Sequence, residues 1–350
     1  MKKVKKQLPP DIGGQAVLDG VMMKSPDKIA IAVRRENGDI VVKCDPFVPI
    51  SKKHKWMGLP FVRGAVSFFM MLGMGMSTLD SSTKMSGALE EEPSKFELWL
   101  SKKLGKGIDK IVMAVAIVLA VVLSFGLFVL LPTLPTAYLT SIGWGPLEIN
   151  LVSGVVRIIL LISYIALCGR VPEMRKTFRY HGSEHKTVYC NEHNLPLTVE
   201  NVQKFSTLHP RCGTSFLLIT FILAILLYTT IDYIILAMTG FNIGGSILLK
   251  LLRTVILLPL VTGVSYEVLK GLAHSETKIC KILRYPGMML QKLTTAQPYD
   301  DMVEVAIASM NAAIHGLPEG ERTPEGWVIL KKQKPQDDIQ EEPTKTAGEK

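Results

Sequence analysis

Residues 111–131 read IVMAVAIVLAVVLSFGLFVLL, a run without a single charge. At 1.5 Å per residue a helix of this length reaches about 30 Å, the thickness of a bilayer's hydrocarbon core. The stretch therefore reads as a membrane span, and it decides the fold class. Residues 147–168 form a second apolar run, interrupted by Arg157, and 214–238 a third, carrying Asp232. A fourth and weaker run, 244–269, holds Lys250, Arg253 and Glu267, with Pro259 as a bend point. The expectation is a mainly α, polytopic membrane protein with four transmembrane helices and a small β-hairpin region near the N-terminus.

Composition agrees. The chain has 350 residues, 48% of them hydrophobic, and the excess is gathered into these few runs. A net charge of +9 on one polar domain would suggest nucleic acid. Here Lys and Arg flank the apolar runs instead, so no nucleic-acid partner is expected and the bilayer is. Five cysteines are scattered without the spacing of a disulfide framework, which predicts free thiols or metal ligands. The basic N-terminus, MKKVKKQLPPDIGG, is followed by no apolar core of a signal peptide.

Loop charge sets the orientation. The segments PTLPTAYLTSIGWGP (132–146) and TGFNIGGS (239–246) carry no Lys or Arg, whereas 169–213 carries seven. The segments before 111 and after 269 are also basic, so 169–213 and both termini are expected in the cytosol of a multi-pass plasma-membrane protein. A full span at 58–79 (GLPFVRGAVSFFMMLGMGMSTL) would break that pattern. The stretch is read as an interfacial or re-entrant helix.

The remaining parts are modest. Residues 1–57 are β-rich, with a hairpin over 29–43 turning at Asn37-Gly38. A linker with an amphipathic helix fills 80–110. Residues 270–332 are read as a helical cytosolic segment, in which Asp301 and Glu304 suggest a capping box and Gly316 a stop. The polar tail 333–350 has the composition of disorder.

One constellation carries chemistry. In YHGSEHKTVYC (180–190), His181, Glu184 and His185 read H-x-x-E-H. On a helix the two histidines stand one turn apart on one face and can share a metal ion, with Glu184 beside them as general base. This is the inverted zincin order. LHPRCGTSF (208–216) adds His209 and Cys212 to complete the ligand set, and thiolate with imidazole favours zinc. Gly182 lowers helix propensity within the motif. Cys190 and His193 are lesser candidates, and Glu267 near the cytosolic end of the last span is a candidate ligand or supporting group. The bland alternative is a basic membrane-proximal loop whose His and Glu pair with headgroups or one another. Arg157, Asp232 and Arg253 fall at comparable depth, and such costly groups pair to pin helices or line a polar path. Gly13 and Gly14 in GGQAVLDGVMM fit no phosphate loop and read as a turn.

With GGQAVLDGVMM, FVRGAVSFFMML, YHGSEHKTVYC, HPRCGTSFL and PGMMLQKLTTAQPYDDMVEVAI together, the chain resembles the YqhQ-like bacterial integral membrane proteins from about residue 11 to 316. The resemblance implies a domain of unknown function whose members often carry the label "predicted metal-dependent enzyme". It supplies no substrate. The leading expectation is a zinc-dependent hydrolase acting at the cytosolic membrane surface on a lipid-linked or membrane-protein substrate. The rival is a non-catalytic scaffold or assembly factor with a structural metal or none; transport is a third reading. Substrate, metal identity and oligomeric state stay open.

Overall fold

The structure is a computed structural model that describes residues 12–87, 108–241, 243, 246–275 and 277–331. Of the expected linker over 80–110, residues 88–107 lie outside the described residues, as does the tail from 333, while 80–86 and 108–110 belong to the flanking helices. The chain is mainly helical, with a small antiparallel sheet built largely by its N-terminal segment.

Strands β1 (Gly13–Val17), β2 (Gly20–Lys24), β3 (Lys28–Arg34) and β4 (Ile40–Pro46) pair in sequence as a meander. The β3–β4 turn is the expected one, with Gly38 at φ +90. A C-terminal hairpin, β5 (Glu321–Arg322) and β6 (Val328–Leu330), joins at β4, where Val42 faces Val328. The sequence reading treated this region as helical only. Alternation divides the strands between two buried faces. Val21, Met23, Ala30, Ala32, Ile40 and Val42 face one core; Val17, Met22, Ile31, Val33 and Val41 face another.

The helices are α1 (Val62–Ser86), α2 (Ile108–Phe125), α3 (Leu134–Ser141), α4 (Pro146–Cys168), α5 (Pro172–Glu192), α6 (Val199–Gln203), α7 (Gly213–Thr239), α8 (Ile247–His274), α9 (Lys278–Thr294) and α10 (Asp300–His315). Among the described residues, five helical runs are long and apolar enough to cross a membrane: Val62–Ser86, Ala114–Ser141, Leu147–Cys168, Gly213–Thr239 and Leu248–Leu272. Their large side chains point outward, Val118 being 62% and Leu123 63% exposed. That is the reverse of a water-soluble core and suits hydrocarbon. The first predicted span is longer than expected. A π turn (Gly126–Leu130) and a 3₁₀ turn (Leu131–Thr133) carry α2 into α3, leaving only 142–145 as a turn before α4. Pro132 and Pro135 sit in the first turns of new helical segments, where a missing N–H costs nothing.

Helix α1 is also longer than the stretch 58–79. It continues through the polar DSSTKMS to Gly87, whose φ of +83 ends it. Its two halves have different partners. At its start, Arg63 makes a bidentate ion pair with Glu267 of α8 (Nε–Oε1 2.7 Å, Nη2–Oε2 2.5 Å). Its second half lies on the sheet, where Met74 and Met85 cover one core and Arg35 Nε donates to the Met85 carbonyl at 2.9 Å. Helix α10 covers the sheet's other core with Met302, Val305, Ala306, Met310 and Ala313. The expected capping box is absent. The cap position is Tyr299, with no side-chain bond, and Glu304 pairs with Arg34 of β3 at 2.6 Å. The predicted stop holds, with Gly316 at φ +96.

Glycine allows the α1–α8 contact. A Cβ at Gly263 would stand 2.5 Å from the Phe61 carbonyl oxygen. Gly263→Ala is therefore expected to cost about 1–3 kcal/mol, read as a lowered melting temperature in detergent. Gly73→Ala on α1, where a Cβ meets nothing within 4 Å, should be neutral or slightly stabilising. Equal melting of the two variants would refute close packing at Gly263.

Candidate metal centre

Helix α5 leaves α4 after a short turn, and Pro172 stands in its first turn. The H-x-x-E-H stretch is helical, as the ligand geometry requires. The His181 and His185 rings lie 4.4 Å apart between centroids. Gly182 has a different role from the one its propensity suggests. A Cβ there would be 2.1 Å from the Ala296 carbonyl oxygen, so Gly182 admits the chain that leaves α9 against α5. That chain is tied by Ala296 N–H to the Phe178 carbonyl at 2.9 Å.

Backbone carbonyls orient both imidazoles. His181 Nδ1 lies 2.9 Å from the Thr294 carbonyl at the end of α9, and His185 Nδ1 lies 2.5 Å from that of Thr207. A carbonyl only accepts, so each Nδ1 carries the proton and each Nε2 keeps its lone pair. The Nε2 of His181 is 3.3 Å from Cys212 Sγ. The Nε2 of His185 is buried and has no hydrogen-bond partner. One donor atom each from His181, His185 and Cys212 lies within 4.8 Å of the others. Zinc bonds of about 2.1 Å to nitrogen and 2.3 Å to sulfur put neighbouring ligand atoms about 3.5 Å apart in a tetrahedron. The donor set fits such an ion with small side-chain adjustment. Cys212 is the N-cap of α7, its sulfur accepting the Thr214 N–H at 3.4 Å.

Glu184 sits beside the cluster, its Oε2 3.4 Å from His185 Nε2, and is 5% exposed. Burial pushes its carboxyl up, against the opposing pull of His181, of His209 and of the Gly14 N–H that hydrogen-bonds it. A carboxylate whose charged form is disfavoured by burial is a stronger proton acceptor than a solvated one. Gly14 is thus part of the site, where the sequence reading saw only a turn. It lies in β1, and a Cβ there would be 2.9 Å from Glu184 Cγ.

The other candidates are placed elsewhere. His209 is adjacent, its ring 5.7 Å from that of His185, but its nitrogens are engaged by Glu192 Oε1 (3.2 Å) and the Arg211 N–H (3.3 Å). Cys190 is a core thiol packed with Val202 and Val303. His193 bonds the Tyr189 carbonyl one turn back, and Glu267 is committed to Arg63. Arg253 pairs with Asp232 as expected, and Arg157 lines the same small cavity without pairing. Three supporting residues have no sequence signal: Thr207, Thr294 and Gln291. Gln291 is fully buried, accepting from His209 N–H (2.8 Å) and donating to the His209 carbonyl (2.8 Å) and Ser215 Oγ (2.9 Å).

Residues 59–316 match the family model described as "Protein of unknown function (DUF1385)". The chain is 35% identical over 339 residues to "Uncharacterized protein YqhQ" of Bacillus subtilis (strain 168), covering 93% of this chain and 99% of that one. No solved structure matches.

Removing the Gln291 clamp should be costly. Gln291→Leu leaves the His209 N–H and carbonyl unpaired in a dry site, at about 2–5 kcal/mol, and a melting temperature in detergent within about one degree of wild type would contradict the clamp. Glu192 gives a pH signature. Burial pushes its carboxyl up, but His209 and Arg211 outweigh burial and hold it below its ordinary value. A depressed carboxyl stabilises the fold above the unfolded value, about 4.3, and loses that contribution as pH falls through the folded one. Glu192→Gln should therefore flatten the acid side of the melting-temperature profile as pH falls below about 5; an acid limb as steep as that of wild type would contradict it.

Proposed function

We propose that the chain, which belongs to the DUF1385 family, is a membrane metalloprotein whose zinc centre is held by His181, His185 and Cys212 at the cytosolic membrane surface. The observation that carries this reading is the buried, partnerless Nε2 of His185, aimed beside a second imidazole lone pair and a sulfur. A buried acceptor without a partner is costly, and a cation shared with His181 and Cys212 removes that cost. The ion would supply Lewis acidity and a binding position for substrate oxygen. Glu184, raised by burial, takes the proton of the attacking water and returns it to the leaving group. His181 is the one half-exposed member of the cluster, so substrate reaches the site along its edge. A lipid-linked or membrane-protein substrate suits that position.

The topology proposed with it has four spans: the α2–α3 run, α4, α7 and α8. Helix α1 touches the α8 segment near Glu267 at one end and the sheet at the other. Both partners lie at the end of the bundle that carries the metal residues, which favours an interfacial helix over a fifth span. Loop charge then favours the plasma membrane with both termini in the cytosol.

A structural metal in a non-catalytic scaffold is the second reading, favoured by the closeness of the site. His185 is 2% and Cys212 8% exposed, and Glu184 can serve as a fourth ligand.

Elemental analysis of purified protein should find about one zinc per chain, and the His181→Ala, His185→Ala double variant should lose it. Wild-type protein without metal sinks both readings. Glu184→Gln separates them: metal and melting temperature retained, with complementation of a deletion strain lost, supports hydrolysis. Full complementation assigns the metal to structure. A reporter fused after residue 90 should read cytosolic, and an external reading overturns this topology; a reporter at the N-terminus that reads external while the one after residue 90 reads cytosolic makes α1 a span.

A further inference from the structure

A second polar site lies in the other half of the helical bundle. It is formed by the first half of α4, the second half of α7 and the first two turns of α8, with Arg157 at the middle of α4. Asp232 is twenty residues beyond Cys212 along the chain, about 30 Å along the α7 axis. Arg157, Lys250 and Arg253 line one cavity there, together with Tyr228 and Asn150. The cavity volume is about 20 Å³, room for one water-sized group.

Charge in this cavity does not balance. Three cations meet one carboxylate: Asp232 takes Arg253 as its ion-pair partner, and Asn150 Nδ2 approaches the same Asp232 oxygen at 3.5 Å. The Arg253 guanidinium also lies over the Tyr228 ring, 4.6 Å from its centroid. Arg157 Nε and Arg253 Nε are buried without partners, against one unpartnered acceptor, Asp232 Oδ1. Donors and positive charge are in surplus together, among helices whose outer faces are apolar. An unpaired cation in such surroundings is costly and marks a ligand more often than a structural tie. A guanidinium pair with an ammonium suits a phosphate group, one of whose oxygens the cavity has room to take.

We propose that the Arg157–Lys250–Arg253 cavity, in the half of the bundle away from the metal residues, binds a phosphate group. The phosphate comes from a lipid headgroup or from free inorganic phosphate, and the site stands whether or not the metal centre holds an ion. The surplus matters more than the Asp232–Arg253 pair, because a pair alone would explain fixed helices and leave no need for Arg157 or Lys250.

The full chain in dodecyl maltoside is titrated with phosphatidylglycerol and, separately, with inorganic phosphate at constant ionic strength, and its melting temperature is followed. A saturable rise with either probe is expected; phosphatidylglycerol alone identifies a headgroup, and inorganic phosphate alone a free ion. Arg157→Gln and Lys250→Gln should each raise the half-saturating concentration at least about tenfold. Neither variant breaks an ion pair, so both should melt at or above wild type without ligand. No rise with either probe overturns the proposal, as does a rise that both variants keep unchanged. Lowered melting of Arg157→Gln with an unaltered titration would assign Arg157 to structure and overturn it too.

Discussion

Helix α5 buries polar side chains where most helices bury apolar ones, and the elements packed around it answer to that constraint. Ser183, Glu184, His185, Lys186 and Thr187 are all buried in one continuous stretch. Each needs a partner, because a buried polar group left alone costs more than a good hydrogen bond returns. The partners come from every element packed around the helix. Ser183 and Thr187 bond back to their own helix, and Lys186 donates to the Gln203 carbonyl of α6 at 2.8 Å. His185 takes Thr207, His181 takes Thr294 from α9, and Glu184 takes the Gly14 N–H from β1. The accounting closes except at His185 Nε2. That one exception gives the metal reading its physical basis.

The same constraint explains which glycines stand near the site. Gly14 lets β1 approach close enough for its N–H to reach Glu184, and Gly182 lets the connecting segment after α9 pass over the middle of α5. Gly287 does similar work between α9 and α7, where a Cβ would be 2.9 Å from Ser215 Cβ. A polar helix held this tightly has partners at fixed distance, and fixed distance is what orients an imidazole pair. The sheet serves the site from outside. Its first strand supplies Gly14, while its two faces take α10 and the end of α1.

Legibility in the sequence followed the range of the interactions. Apolar runs and loop charge are local patterns, so the long helices were readable, and the Asn37-Gly38 hairpin was readable from its turn. The histidine pair was readable because both residues lie on one helix. What failed depended on distant partners. Glu267 was assigned to the metal residues from depth alone, and only the fold shows that Arg63 reaches it first. His209 lies beside the cluster, yet Glu192 and the Arg211 N–H hold its nitrogens. Prolines 132 and 135 signalled a loop, although each is also a good first-turn residue, and there the helical reading won. Gly182 counted against a helix by propensity, while its value lies in a contact with a segment more than a hundred residues away.

Closure of the metal residues turns on Glu184. With three protein ligands an ion keeps a position for substrate; with the carboxylate as fourth ligand it does not. Two features of this chain pull on that side chain. The Gly14 N–H draws the carboxylate toward β1, and burial disfavours its charged form in the absence of a cation. A bound ion would reverse the second effect, stabilising the charge and drawing an oxygen inward across the short gap from His185 Nε2. The bond to Gly14 would be the counterweight: it would keep Glu184 free of such an ion and available as a proton acceptor. A strand that approaches without a side chain at that position therefore bears on whether the centre is open or sealed.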